Sequence, residues 1–215
     1  MSELVRIPSP GIPLHFGAPG SALIILVHDW FGRLPWLENY AKALANQGYC
    51  VVVPDLFDGV ATTDVSTAEG LMNQLDVARA LETLDDVIQQ ASSEGSHRIG
   101  VVGFSLGGWL ALLHAQSGAV DAVVAYYATL GPAHHGVIPC PTMLHFAEVD
   151  EWDDEDDPES FISRLKDHGT PVIEFSYLAT LHSFANTTIL DRADDRAAAL
   201  AFARTSSFLE DHLLA

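Results

Sequence analysis

The segment Gly103-Phe-Ser-Leu-Gly-Gly108 sets a serine between small residues. A serine hydroxyl is a weak nucleophile at neutral pH and needs a neighbouring base. The pattern G-x-S-x-G is meaningful only at a sharp strand-to-helix turn, and that context is present. Residues 98–103 read as a strand and 109–114 as a helix. Such a turn strains the serine backbone, exposes its hydroxyl, and aims the amide N–H of Leu106 at a developing oxyanion. Candidate partners come later in the chain, in the order acid, then histidine. Asp150 stands just after the apolar run 142–146, and His182 comes after the run 172–175. In that arrangement the carboxylate would hold the imidazole tautomer and balance its positive charge.

Other residues at strand ends enlarge the set. Residues 27–32 follow the first central run, and the loop at this place supplies a second oxyanion donor, for which the N–H of Trp30 is the candidate. Asp29 then lies at the mouth of the site. Asp153 and Asp154 are fallbacks for the acid, within an otherwise solvated acidic stretch from 148 to 159. Asp55 is expected to cap the turn after its strand. His145 lies inside a strand and reads as a core residue, and His114 should point away from the site. His134 and His135 share a short loop and are candidates for lining the pocket. Adjacent histidines point apart, so they do not read as a metal site, and no CxxC pair or Cys/His cluster suggests zinc. Cys50 and Cys140, in or beside apolar runs, read as buried thiols of a reducing compartment.

The positioning elements can be read from the pattern. Short, nearly continuous apolar runs at 22–27, 49–53, 99–104, 122–127, 142–146 and 172–175 read as strands buried on both faces of a parallel sheet. Helical patterns lie between them, at 36–47, 68–91, 105–116 and 158–168, and a closing helix spans 191–214. Alternation of this kind predicts a doubly wound, mostly parallel α/β sheet with helices on both faces. Ligands of such sheets bind at the carboxyl ends of the strands. Residues 1–16, rich in proline, are expected to form a hairpin at the sheet edge.

Composition sets the outer limits. The chain has 215 residues, which suits one domain over 1–215. Hydrophobic residues at 48% exclude a disordered chain. Ten Lys plus Arg against 29 Asp plus Glu give a net charge of −19. That charge repels phosphate backbones and anionic membranes, so neither nucleic acid nor membrane is an expected partner. The N-terminus lacks the apolar core of a signal peptide, and no run approaches a membrane span, so a cytoplasmic protein is expected.

Five segments together resemble the dienelactone hydrolase family of α/β-hydrolases, over about residues 20–210. They are Leu26-Val-His-Asp-Trp-Phe-Gly, Gly48-Tyr-Cys-Val-Val-Val-Pro-Asp-Leu-Phe, Gly103-Phe-Ser-Leu-Gly-Gly, Leu144-His-Phe-Ala-Glu-Val-Asp and Leu181-His-Ser-Phe-Ala-Asn. The resemblance implies the α/β-hydrolase fold, and the loop from Leu130 to Pro139 is too short to cover a long chain, so no large lid is expected. It implies hydrolysis of small lactones and esters in the cytoplasm, with no metal or organic cofactor. It supports Ser105 as nucleophile, Asp150 as acid, His182 as base, and backbone donors at Trp30 and Leu106. The family's best-known members carry Cys as the nucleophile and Glu where Asp29 stands, and a serine cannot be pre-ionised as a cysteine can. They also grip an anionic substrate with arginines, one of them four residues after the histidine, where this chain has Asn186. The reading is therefore a serine hydrolase for a small ester or lactone, monomeric or dimeric. Acyl transfer or peptide hydrolysis by the same triad is an alternative, as is a non-catalytic binding protein on the same fold.

Overall fold

The structure is a computed structural model and describes residues 4–151 and 157–214. Among the described residues, seven strands form one sheet: β1 (Leu14–Phe16), β2 (Leu23–Val27), β3 (Cys50–Val53), β4 (Ile99–Phe104), β5 (Ala122–Tyr126), β6 (Thr142–Val149) and β7 (Val172–Leu181). Their order across the sheet is β1-β3-β2-β4-β5-β6-β7. Every pairing is parallel except that of β1 with β3. The doubly wound sheet expected from the alternating runs is therefore present. Strands β2 to β5 are buried at every position, which is why their sequences show no polar alternation.

Among the described residues, six helices cover the two faces: α1 (Pro35–Ala45), α2 (Val65–Asn73), α3 (Val77–Ser93), α4 (Leu106–Ala115), α5 (Pro158–Asp167) and α6 (Asp195–Leu213). Alternate residues of β2 divide the core between the faces. Ile24 and Leu26 pack with Leu37 and Leu44 of α1 and Phe208 and Leu209 of α6. Leu23, Ile25 and Val27 pack with Leu84 of α3, Leu112 of α4 and Phe161 of α5. Helix α4 is apolar nearly all round because it runs against the sheet centre, and seven of its ten residues are buried.

Three expectations need correction. The single helix predicted over 68–91 is two helices. Asp76 accepts the N–H of Arg79 at 3.1 Å and caps α3, while Asp64 accepts that of Thr67 at 2.8 Å and starts α2 earlier than predicted. Each cap is worth about 1 kcal/mol, enough to divide a stripe that is continuous in apolar spacing. The closing helix begins at Asp195, where Asp194 caps the N–H groups of Arg196 and Ala197. The N-terminal hairpin is instead one three-residue edge strand paired with β3, with Leu4 bridging to Thr62. The segment before it is held by buried Arg33, whose guanidinium donates to the carbonyls of Pro8, Ser9 and Ile12. Asp55 joins this arrangement 3.7 Å from Arg33 and accepts the N–H groups of Gly11 and Phe57, the turn-capping role expected of it.

The strand order places the chemistry. From β2 the chain moves outward to β3, then returns past β2 to β4 and continues the other way. The switch lies between β2 and β4, where such sheets open a crevice at their carboxyl ends. Trp30 comes after β2 and Ser105 after β4, so both flank that crevice.

Candidate functional site

Ser105 sits between β4 and α4 with φ of 52° and ψ of −116°, the left-handed side of backbone space that costs a non-glycine residue energy. Its N–H donates to the carbonyl of Tyr126 at 2.9 Å, and its carbonyl accepts the N–H of Trp109 at 2.8 Å. The turn closes only because its neighbours are small. A Cβ on Gly103 would strike the carbonyl of Gly107, and one on Gly107 would strike the carbonyls of Val27 and His28. The glycines thus let α4 start directly over the sheet edge. Leu106 opens the helix, so its N–H belongs to the first turn, which has no carbonyl partner within the helix.

Ser105 Oγ lies 2.7 Å from His182 Nε2. The other ring nitrogen, Nδ1, lies 2.8 Å and 2.7 Å from the two carboxylate oxygens of Asp150. The Asp150 and His182 side chains are only 3% and 5% exposed, so little water competes for this pair. Nδ1 therefore carries the proton toward the carboxylate, which leaves Nε2 as acceptor for the serine hydroxyl. Hydroxyl, imidazole and carboxylate lie in one hydrogen-bonded line.

The register of β6 and β7 explains how acid and histidine meet. Ala147 pairs with Tyr177, yet Val149 pairs with Leu181, so β7 holds two extra residues in the interval. Ala179 takes φ of +59° there, and its N–H donates to Glu148 at 2.6 Å. This bulge brings Leu181 beside Val149, so the next residues, Asp150 and His182, emerge together. A backbone bond from His182 N–H to the Val149 carbonyl at 3.1 Å secures the exit. The strand predicted at 172–175 is consequently longer, and His182 comes directly after it.

Asp29, expected at the mouth of the site, is instead fully buried just after β2. Its Oδ1 accepts the N–H of Phe31 at 3.0 Å, and its Oδ2 accepts Nδ2 of Asn186 at 2.8 Å. Burial pushes its carboxyl up to about 6, against the opposing effect of the two hydrogen bonds and the nearby His182. Trp30 is half-buried, with its ring set edge-on to Phe31. His28, just before, is held neutral by burial. It donates from Nδ1 to the Asp29 carbonyl at 2.7 Å and accepts the N–H of Leu56 at Nε2, 3.0 Å away.

The structure thus brings Ser105, Asp150, His182, Asp29 and Asn186 to one edge of the sheet. His134 and His135 make their ring contacts with residues of α4 and α5. The His134 ring lies 5.4 Å from that of Trp109, and the His135 ring lies 5.4 Å from Phe161 and 5.3 Å from His168. His134 is exposed beside α4, and His135 is half-buried beside α5. His114 bonds Asp85 of α3 at 2.8 Å, and His145 lies in the core, as expected of each. Asp153 and Asp154 lie outside the described residues. Among the described residues, no group of three or more His, Cys, Asp or Glu is arranged to hold a metal ion, and Cys50 and Cys140 are free and buried.

One neighbour is not flagged by the sequence motifs. Tyr127 comes directly after β5, has φ of 40°, and sets its ring 4.9 Å from that of His182. It holds the position just beyond its strand, as the other site residues do, but the apolar run 122–127 conceals where that strand ends.

The chain is similar to several known proteins. The pattern of the dienelactone hydrolase family matches residues 15–213. Protein usf of Aquifex pyrophilus is 24% identical over 233 residues, spanning 99% of this chain and 100% of that protein. The carboxymethylenebutenolidase of Rhodococcus opacus is 33% identical over 129 residues, 59% of this chain and 51% of that enzyme. Among solved structures, a dienelactone hydrolase-like promiscuous phosphotriesterase from metagenomic libraries superposes with a TM-score of 0.78 at 15% identity, covering 99% of this chain and 98% of that one. That likeness shows a shared fold.

Proposed function

The chain belongs to the dienelactone hydrolase family of α/β-fold hydrolases, and on that premise we propose that it is a serine hydrolase of small, uncharged esters or lactones. The reading is carried by one observation: the strained Ser105 holds its Oγ 2.7 Å from Nε2 of His182, whose Nδ1 is held by Asp150. In the proposed reaction His182 takes the proton from Ser105 as Oγ attacks the substrate carbonyl. The N–H groups of Trp30 and Leu106 receive the oxyanion, each donor contributing about 3 kcal/mol to the transition state. His182 returns the proton to the leaving alkoxide, or to the ring oxygen of a lactone. Water, activated by the same imidazole, then cleaves the acyl-enzyme. The chain works as one unit, in the cytoplasm, and needs no cofactor for these steps.

Charge supports an uncharged substrate. The net charge is −19, and buried Asp29 and Asp150 flank the site. Arg33, the arginine nearest Asp29 in sequence, has its guanidinium engaged by backbone carbonyls and Asp55. An anionic substrate would meet repulsion with little to offset it. The test is turnover of p-nitrophenyl acetate and small γ-lactones against carboxylate-bearing analogues, with the wild type and Ser105→Ala. The reading expects turnover of the uncharged set alone and its loss in the variant. Full turnover by Ser105→Ala would contradict it.

A further inference from the structure

Asp29 and Asn186 are 157 positions apart and lie in the two loops that must cooperate in the proposed reaction. One loop, residues 29–32, carries the Trp30 N–H. The other, residues 182–188, begins with His182. The contacts between them form a closed set. Asp29 Oδ1 accepts the Phe31 N–H at 3.0 Å and its carbonyl accepts the Gly32 N–H at 3.1 Å, so Asp29 shapes its own turn. Its Oδ2 takes Nδ2 of Asn186. Asn186 Oδ1 accepts the Thr188 N–H at 3.0 Å, and the Asn186 N–H donates to the Ser183 carbonyl at 2.8 Å, so Asn186 shapes its own turn as well. Asp29 and Asn186 are both 0% exposed.

We propose that Asp29 and Asn186 form a buried carboxylate–carboxamide clasp that fixes the oxyanion loop against the histidine loop. The two are positioning residues, acting through Trp30 and His182. The inference rests on the serine-hydrolase reading and adds the device that keeps its two halves in register. A carboxylate buried without cause is unfavourable. Here each oxygen of Asp29 meets a donor, and each donor belongs to a different loop. An error of about 1 Å between oxyanion donor and base can cost roughly 100-fold in rate, so a rigid tie at this place has a large return.

The clasp makes an unusual prediction because its donors and acceptors can be exchanged. In Asp29→Asn, the new amide meets the amide of Asn186, donor against donor. Turning Asn186 to relieve this would set its NH₂ against the Thr188 N–H. In Asn186→Asp, two carboxylates face each other in a dry site. In the double exchange Asp29→Asn with Asn186→Asp, all three bonds return. The carboxamide now at position 29 would accept from the Phe31 N–H and donate to the carboxylate now at position 186. That carboxylate would accept the Thr188 N–H with its other oxygen.

The test is kcat and KM of the two single variants and the double exchange on an uncharged p-nitrophenyl ester. Hydrogen exchange of the amides at 30–32 and 182–188 is followed in parallel. The clasp predicts kcat lowered roughly 10- to 100-fold in each single variant, with KM nearly unchanged. Both loops should exchange faster together, and the double exchange should recover kcat and protection. Singles with wild-type kcat and protection would overturn it. So would a folded double exchange as impaired as the worse single variant, because the negative charge at position 29 would then be the active feature. If the wild type turned over no ester, the serine-hydrolase reading would fail by itself. The paired loss and recovery of protection in the two loops would still decide whether the clasp exists.

Discussion

Two histidines are enclosed on the neighbouring strands β6 and β7, His145 within β6 at 0% exposure and His182 just after β7 at 4%. Both have two side-chain partners, and the partners differ. His145 lies between hydroxyls, 2.8 Å from that of Tyr177 and 3.0 Å from that of Thr205. The line continues from Thr205 to Tyr126 at 2.8 Å and to Tyr40 at 3.1 Å. Hydroxyls donate or accept as needed, so they satisfy a neutral imidazole but cannot balance a charged one. Burial, with Arg204 nearby, pushes His145 down to about 3. His182 has a hydroxyl on one side and a carboxylate on the other. A carboxylate can hold an imidazolium during a reaction. Equal burial therefore yields a structural histidine in one place and a candidate base in the other, and the carboxylate makes the difference.

The largest effect that could break this comparison is on turnover. Asp150→Asn should lower kcat roughly 10³- to 10⁴-fold, as expected when the partner fixing the tautomer is lost. His145→Gln, which keeps hydrogen-bonding groups between the same hydroxyls, should stay within a few-fold of wild type. Steady-state kinetics on one ester decides both, and equal losses in the two variants would erase the distinction.

Next in size is acid stability. An unfolded histidine binds a proton near 6.5, whereas folded His145 resists it down to about 3. The unfolded state thus binds more protons in that window, and stability present above pH 6.5 is lost as pH falls toward 3. The full shift corresponds to roughly 4–5 kcal/mol. Urea titrations from about pH 7 to 4 should show a steep decline that His145→Gln flattens. An unchanged slope would mean that His145 is protonated without penalty.

Asp29 has the opposite sign. Its folded carboxyl is raised to about 6 from 3.8, so the folded state holds its proton more tightly. Its contribution is most favourable at low pH and is lost as pH rises through about 6, by roughly 3 kcal/mol. The stability difference between wild type and Asp29→Asn should therefore move against the wild type between about pH 4 and 7. A difference independent of pH would show that Asp29 is not desolvated. The smallest effect concerns the surface. With a net charge of −19, raising NaCl from about 0.05 to 0.5 M should raise the melting temperature by a few degrees through screening. No response would mean that the charges are already compensated.

The sheet and the line of Ser105, Asp150 and His182 were legible because each depends on local pattern. Buried parallel strands read as continuous apolar runs, and site residues come directly after them. The features that stayed hidden depend on distance or on a single cap. The break at Asp76 is invisible in apolar spacing because the stripe continues across it. The two extra residues of β7 leave no signature other than an unremarkable Ala179. Asp29 and Asn186 were each legible as residues near the site, but their bond is a tertiary contact across 157 positions. The ring contacts of His134 with Trp109 and of His135 with Phe161 and His168 were equally beyond a reading of their loop. Tyr127 was hidden because a tyrosine ending an apolar run looks like one more core residue.

The most direct test of the central claim is labelling by a fluorophosphonate probe, with the modified peptide identified by mass spectrometry. The wild type, Ser105→Ala and His145→Gln would be compared. The account predicts one adduct, on Ser105, present in wild type and His145→Gln and absent from Ser105→Ala. A folded wild type that takes no label, or a label that persists in Ser105→Ala, would contradict it.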